Sequence, residues 1–201
     1  MPLAVTLRLD DAAAGPIAAM WRALAEAGVD DGCLRLGYPP HVTMAIWPDE
    51  APVESLAAAA ERFGAEWDAL PLALAGFGVF PGAPAVLWAA PVVTETLLAR
   101  QAALVAAVGE SHCHEHYRPG RWVPHVTLGH THAPGRALEV LAPLWREARS
   151  GRLHRIELVR FRPVSVLRGL PLGRAPGDVE AASRGRKKFC LRHASECVRP
   201  P

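Results

Sequence analysis

The sequence predicts a mixed fold, α+β or α/β, and two observations carry that reading. Helix-spaced and strand-like patterns alternate along the body of the chain, and its middle is strand-rich, with a turn between two short apolar runs. That hairpin leans the choice toward α+β with mostly antiparallel sheets. With 201 residues, half of them hydrophobic, the chain buries a real core and fits one globular domain or two small fused lobes.

The elements follow in order. A first strand is expected over 3–9, then a helix from Ile17, Met20, Trp21 and Leu24, which recur on one face. Short strands are expected over 33–36 and 41–47. Val53, Leu56, Ala60 and Phe63 mark a second helix, and strands over 70–79 and 85–90 flank the turn "FPGAP". Leu97, Leu98, Val105 and Val108 mark a third helix, followed by a strand over 125–131. Leu138, Leu141 and Trp145 mark a fourth, and a last strand covers 153–167. Tryptophans and methionines within these stripes read as core.

Composition excludes several classes of function. Ala69 to Thr94 carries no charge and is long enough to span a bilayer, but Pro71, Pro81, Pro84 and Pro91 suit a hairpin and not a membrane helix. The amino terminus lacks the pattern of a signal peptide, so a cytoplasmic location is expected and no membrane partner. Cys33, Cys113, Cys190 and Cys197 show neither close pairs nor zinc spacing. Residues 1–175 are the expected folded domain, nearly neutral with 16 basic against 17 acidic side chains; 176–201 is an expected basic, poorly ordered tail of net charge +3. A neutral body does not grip a nucleic-acid backbone along many phosphates, so any phosphate chemistry is local.

The chemistry resides in a repeat. "PPHVTMAIW" at 39–47 and "VPHVTLGHT" at 123–131 share Pro-His-Val-Thr, at an offset of 84 residues from His41 to His125. In a strand alternate side chains face opposite ways, so His41 and Thr43 share a face, roughly 6 to 7 Å apart, while Val42, Met44 and Ile46 share the buried one. His125 and Thr127 stand likewise against Val126 and Leu128. Histidine titrates near neutrality, so one imidazole of such a pair can give a proton while the other takes one. Each threonine hydroxyl can bond a phosphate oxygen, and no metal is needed.

On these residues the chain resembles the two-histidine phosphoesterases, and within them the bacterial RNA 2',3'-cyclic phosphodiesterases historically called 2'-5' RNA ligases. "HVTM" at 41–44 and "HVTL" at 125–128 fit the family's repeated His-x-Thr/Ser-x signature; "GFGVFPG" and "VLWAAP" look like its hairpin, and "RWVPHVTLGH" like its approach to the second motif. The resemblance covers about residues 3 to 170. It implies a bilobal α+β fold of two pseudo-symmetric halves around a central groove, with one motif from each half. It implies His41 as general acid on the leaving 3' oxygen, His125 as general base on water, Thr43 and Thr127 as phosphate ligands, and a 2'-phosphate product; in reverse the same groups act as a ligase. RNA ends and small cyclic or 2'-5'-linked nucleotides are the implied partners, with no cofactor and no obligatory protein partner.

Around the motifs, Tyr38, Phe80, Arg121 and Trp122 are candidates to stack on a base or bind phosphate at the groove's rim. "SHCHEHYRPG" at 111–120 brings His112, His114 and His116 together and leaves open a metal-dependent hydrolase, although the spacing matches no common zinc pattern. A non-catalytic module that binds RNA ends is the other open alternative. An adenylating ligase is disfavoured, because the only lysines are Lys187 and Lys188 in the tail.

Overall fold

The computed structural model describes residues 1–161 and 163–173; the tail expected over 176–201 lies outside the described residues. Seven strands build the sheet: β1 (Leu3–Leu9), β2 (His41–Trp47), β3 (Leu70–Phe80), β4 (Ala85–Pro91), β5 (Val126–Thr131), β6 (Arg149–Arg160) and β7 (Ser165–Pro171). Among the described residues five α-helices accompany them: α1 (Asp11–Glu26), α2 (Gly32–Leu36), α3 (Val53–Glu66), α4 (Glu95–Val108) and α5 (Pro134–Leu141). Every strand pairing among the described residues is antiparallel.

The sheet divides at β6. Leu153 pairs Leu9 of β1 on one side and Leu70 of β3 on the other, while β7 takes over the β3 side from Arg155 onward. One half is therefore β2-β1-β6-β7 and the other β5-β4-β3-β6, each with a motif strand at its outer edge. That is the bilobal arrangement the resemblance implies. α3 and α4 cover the first half, and α1, joined by α5, reaches the second.

Local signals explain the helices. The Asp10 carboxylate caps α1 by accepting from the Ala13 amide, and Thr94 caps α4 by accepting from Leu97. Ile17, Met20, Trp21 and Leu24 point inward from α1, as Leu56, Ala60 and Phe63 do from α3. Leu3, Val5 and Leu7 of β1 are wholly buried, and each such side chain stabilises the fold by roughly 1.5–3 kcal/mol.

Several expectations are corrected. The run at 33–36 is the short helix α2, because Asp30 accepts from the Gly32 amide and Gly37, at φ 64°, ends the turn where a strand would need a partner. The single strand expected over 153–167 is two, β6 and β7, reversed by a turn that includes Pro163. Leu98 is exposed on α4, and buried Gln101 stands in the inward stripe instead. Trp145 lies beyond α5, past the turn Ala142–Leu144, with its ring 4.8 Å from that of Phe77. The uncharged stretch from 69 to 94 is the β3–β4 hairpin and its flanks; no helix among the described residues is long and apolar enough to cross a membrane.

Candidate active site

Each motif strand carries a bulge at the same place. Thr6 pairs Thr43 and Val5 pairs Ala45, so Met44 is the extra residue in β2; Trp88 pairs Thr127 and Leu87 pairs Gly129, so Leu128 is the extra residue in β5. Val42, Met44 and Ala45 are buried, as are Val126, Leu128 and Gly129, while His41, Thr43, His125 and Thr127 line one common groove of about 1130 Å³. The bulge also corrects the alternation read from sequence. Ile46 turns into the groove in the first half, and His130 occupies the matching place in the second.

The prolines before the histidines have a physical role. In both motifs the imidazole Nδ1 lies 2.8 Å from the carbonyl oxygen two residues earlier, Pro39 for His41 and Val123 for His125. A carbonyl only accepts, so Nδ1 carries the proton and Nε2 is left available to a substrate. The intervening Pro40 and Pro124, with fixed φ, hold that carbonyl against the ring.

Burial, above all, lowers the pKa of His41 to about 4, against the Pro39 hydrogen bond, and nearby His125 lowers it further. Burial likewise lowers the pKa of His125, opposed by the bond to Val123. Both rings are therefore neutral near pH 7 in the free protein, and an anion between them favours protonation.

Two indoles brace the strands. Trp122 donates from Nε1 to the Thr43 carbonyl and Trp21 donates to the Thr127 carbonyl, each at 3.0 Å. Buried Gln101 donates to the carbonyl of Met44, the bulge residue, at 3.3 Å.

The remaining sequence candidates divide. Phe80 is at the groove, its ring 5.0 Å from Trp88 and edge-on to His125 at 5.1 Å. Arg121 lines the exposed rim and donates to Glu115 at 3.3 Å. Tyr38 and Trp122 also border the groove, though they are only 5% and 7% exposed, with the Tyr38 ring 4.7 Å from that of His41. In the histidine-rich loop the rings of His114 and His116 are 5.1 Å apart. Among the described residues no three His, Cys, Asp or Glu side chains stand together as metal ligands.

Four groups at the site escape the sequence reading: Trp21, hidden within a helical stripe; His130, reached only through the bulge; Gly78, beneath Trp88; and Glu157. The last two leave a signal. A lone glutamate inside the apolar run "IELV" marks a buried charge needing partners, and "GFG" in a strand marks close approach of a neighbouring ring.

The profile of the 2'-5' RNA ligase superfamily matches residues 5–163. No curated protein matches the chain. Among solved structures the chain is similar to TT0787 of Thermus thermophilus, with 21% identity, TM-score 0.61, and coverage of 86% of this chain and 98% of that one. It is also similar to E. coli LigT complexed with ATP, with 16% identity, TM-score 0.55, and coverage of 86% and 98%. LigT complexed with 3'-AMP gives 17% identity, TM-score 0.53, and coverage of 86% and 99%. At these identities the likeness is one of fold.

Proposed function

The chain belongs to the 2'-5' RNA ligase superfamily, and on that premise we propose that it is a metal-independent phosphodiesterase that opens 2',3'-cyclic phosphates at RNA or nucleotide ends to 2'-phosphates. The observation that carries this reading is the pair of imidazoles in one groove, each with Nδ1 tied to a backbone carbonyl and a threonine two residues on. E. coli LigT, solved with ATP and with 3'-AMP, supports a nucleotide as the ligand.

In this mechanism Thr43 and Thr127 hold the non-bridging phosphate oxygens. His125 Nε2 accepts a proton from water as its oxygen attacks phosphorus, and a pentacoordinate arrangement forms. The bond from phosphorus to the 3' oxygen breaks, and His41 Nε2 delivers a proton to that oxygen. The product carries a 2'-phosphate and a 3'-hydroxyl; His125 then returns its proton to solvent and His41 regains one. With a 5'-hydroxyl attacking phosphorus in place of water, the same transfers break the bond to the 3' oxygen and join the ends through a 2'-5' linkage.

The test is hydrolysis of a nucleoside 2',3'-cyclic phosphate in EDTA by wild type, His41→Ala and His125→Ala, with the product identified by phosphorus NMR. Each substitution is expected to slow the reaction by roughly a hundredfold to ten-thousandfold. Undiminished turnover in both variants defeats the assignment, and an inactive wild type that binds RNA ends tightly makes the protein a binding module.

A further inference from the structure

The two motifs are alike, but the floors beneath them are not. Across the first half, Thr43 pairs Thr6 and Thr6 pairs Glu157; at the matching places of the second half Thr127 pairs Trp88 and Trp88 pairs Gly78. A hydroxyl and a carboxylate thus lie where the other half has an indole and a bare backbone. Directly opposed residues on neighbouring strands share a face, so each row lies on the groove side.

Tyr38 ties the first floor to His41. Its hydroxyl donates to Glu157 Oε2 at 2.7 Å and accepts from Thr6 Oγ1 at 2.7 Å, while its ring sits against the His41 imidazole, tilted by 59°. Glu157, 2% exposed, also accepts from Arg155 Nε at 2.7 Å and Arg8 Nη1 at 3.4 Å. Burial pushes its carboxyl upward, but the Tyr38 and Arg155 hydrogen bonds and the arginine charges outweigh that and hold it below the ordinary range, so it is ionised at neutral pH.

The charged groups acting on His41 are His125 and Arg8, which disfavour its protonation, and Glu157, which favours it and whose pull exceeds the push of Arg8. His125 has the uncharged rings of Phe80 and Trp88 at 5.1 and 6.1 Å. On the phosphodiesterase reading of the groove, we propose that Tyr38 and Glu157 are positioning residues that favour the proton on His41 in the substrate complex, against the burial that disfavours it, through a floor that His125 lacks. Both act through the His41 ring, against which Tyr38 packs.

The test follows each imidazole by NMR titration in wild type and Glu157→Gln, alongside cyclic-phosphate kinetics. His41 is expected to titrate about one pH unit lower in Glu157→Gln, as befits loss of a nearby opposite charge, with His125 unmoved. Tyr38→Phe keeps the ring and loses the anchor, so kcat is expected to fall about tenfold at unchanged KM. An unmoved His41 in Glu157→Gln, or an equal shift of both rings, overturns the proposal, as does wild-type kcat in Tyr38→Phe should Glu157→Gln not fold. A wild type inert toward cyclic phosphates, with His41 alone still shifted, upholds the coupling and sinks the phosphodiesterase reading instead.

Discussion

Trp122 donates its indole N–H to the carbonyl of Thr43, 79 residues away, and so fastens the approach to the second motif onto the strand of the first. Trp21 makes the matching bond to Thr127. Replacing either by Phe keeps most of the apolar contact and orphans a carbonyl next to a bulge. The expected cost is about 1 kcal/mol each in urea unfolding, with a fall in kcat for Trp122→Phe larger than stability alone explains. Unchanged stability and kcat in both variants remove the bracing role.

Activity should follow a bell-shaped dependence on pH, because one imidazole must be charged and the other neutral. Both pKa values lie below the ordinary histidine value in the free protein. The kcat/KM optimum is therefore expected below pH 6.5, and the kcat optimum higher, since a bound phosphate anion favours the imidazolium. Fold stability follows the same shifts. Depressed folded pKa values mean the unfolded chain binds more protons, so this contribution is complete above about pH 6.5 and is lost as pH falls toward 4. His41→Ala should lose less stability over that window than wild type; an equal loss contradicts the assignment.

A Cβ on Gly78 would collide with the Trp88 ring, whereas one on Gly76, in the same strand, meets nothing within 4 Å. Gly78→Ala is expected to push Trp88 and Phe80 against His125, lowering kcat about tenfold and stability by about 1–3 kcal/mol. Gly76→Ala serves as the control and should leave kcat within twofold. Equal behaviour of the two variants counts against a role for the Trp88 floor.

Prolonged EDTA treatment and the exchange His112→Ala with His114→Ala should both leave cyclic-phosphate hydrolysis intact, since the proposed proton transfers need only His41 and His125. Activity lost to EDTA and restored by zinc would return the histidine-rich loop to the centre of the chemistry.

Most of the fold is legible in the sequence, because its strands alternate and its helices carry one apolar face. β1 and β2 match their expected ranges, and β3, β4 and β5 differ by one residue at an end. His41, Thr43, His125 and Thr127 meet in one groove because the repeat and its strand period are both local signals. What the chain hides is whatever depends on register. The bulges that turn Ile46 and His130 inward leave no mark in a period-two pattern, and the burial of Tyr38 and Trp122 follows from partners 119 and 79 residues distant. Residues 33–36 alternate as a strand would, yet with no partner beside them they coil between Gly32 and Gly37.

β6 belongs to both halves, and it is laid down after each chemical group has been made. A nascent chain halted at residue 148 would hold both imidazoles and both hydroxyls, but not the shared ribbon that sets one edge strand opposite the other. On the proposed mechanism, competence therefore awaits the long-range pairings of β6 with β1 and β3.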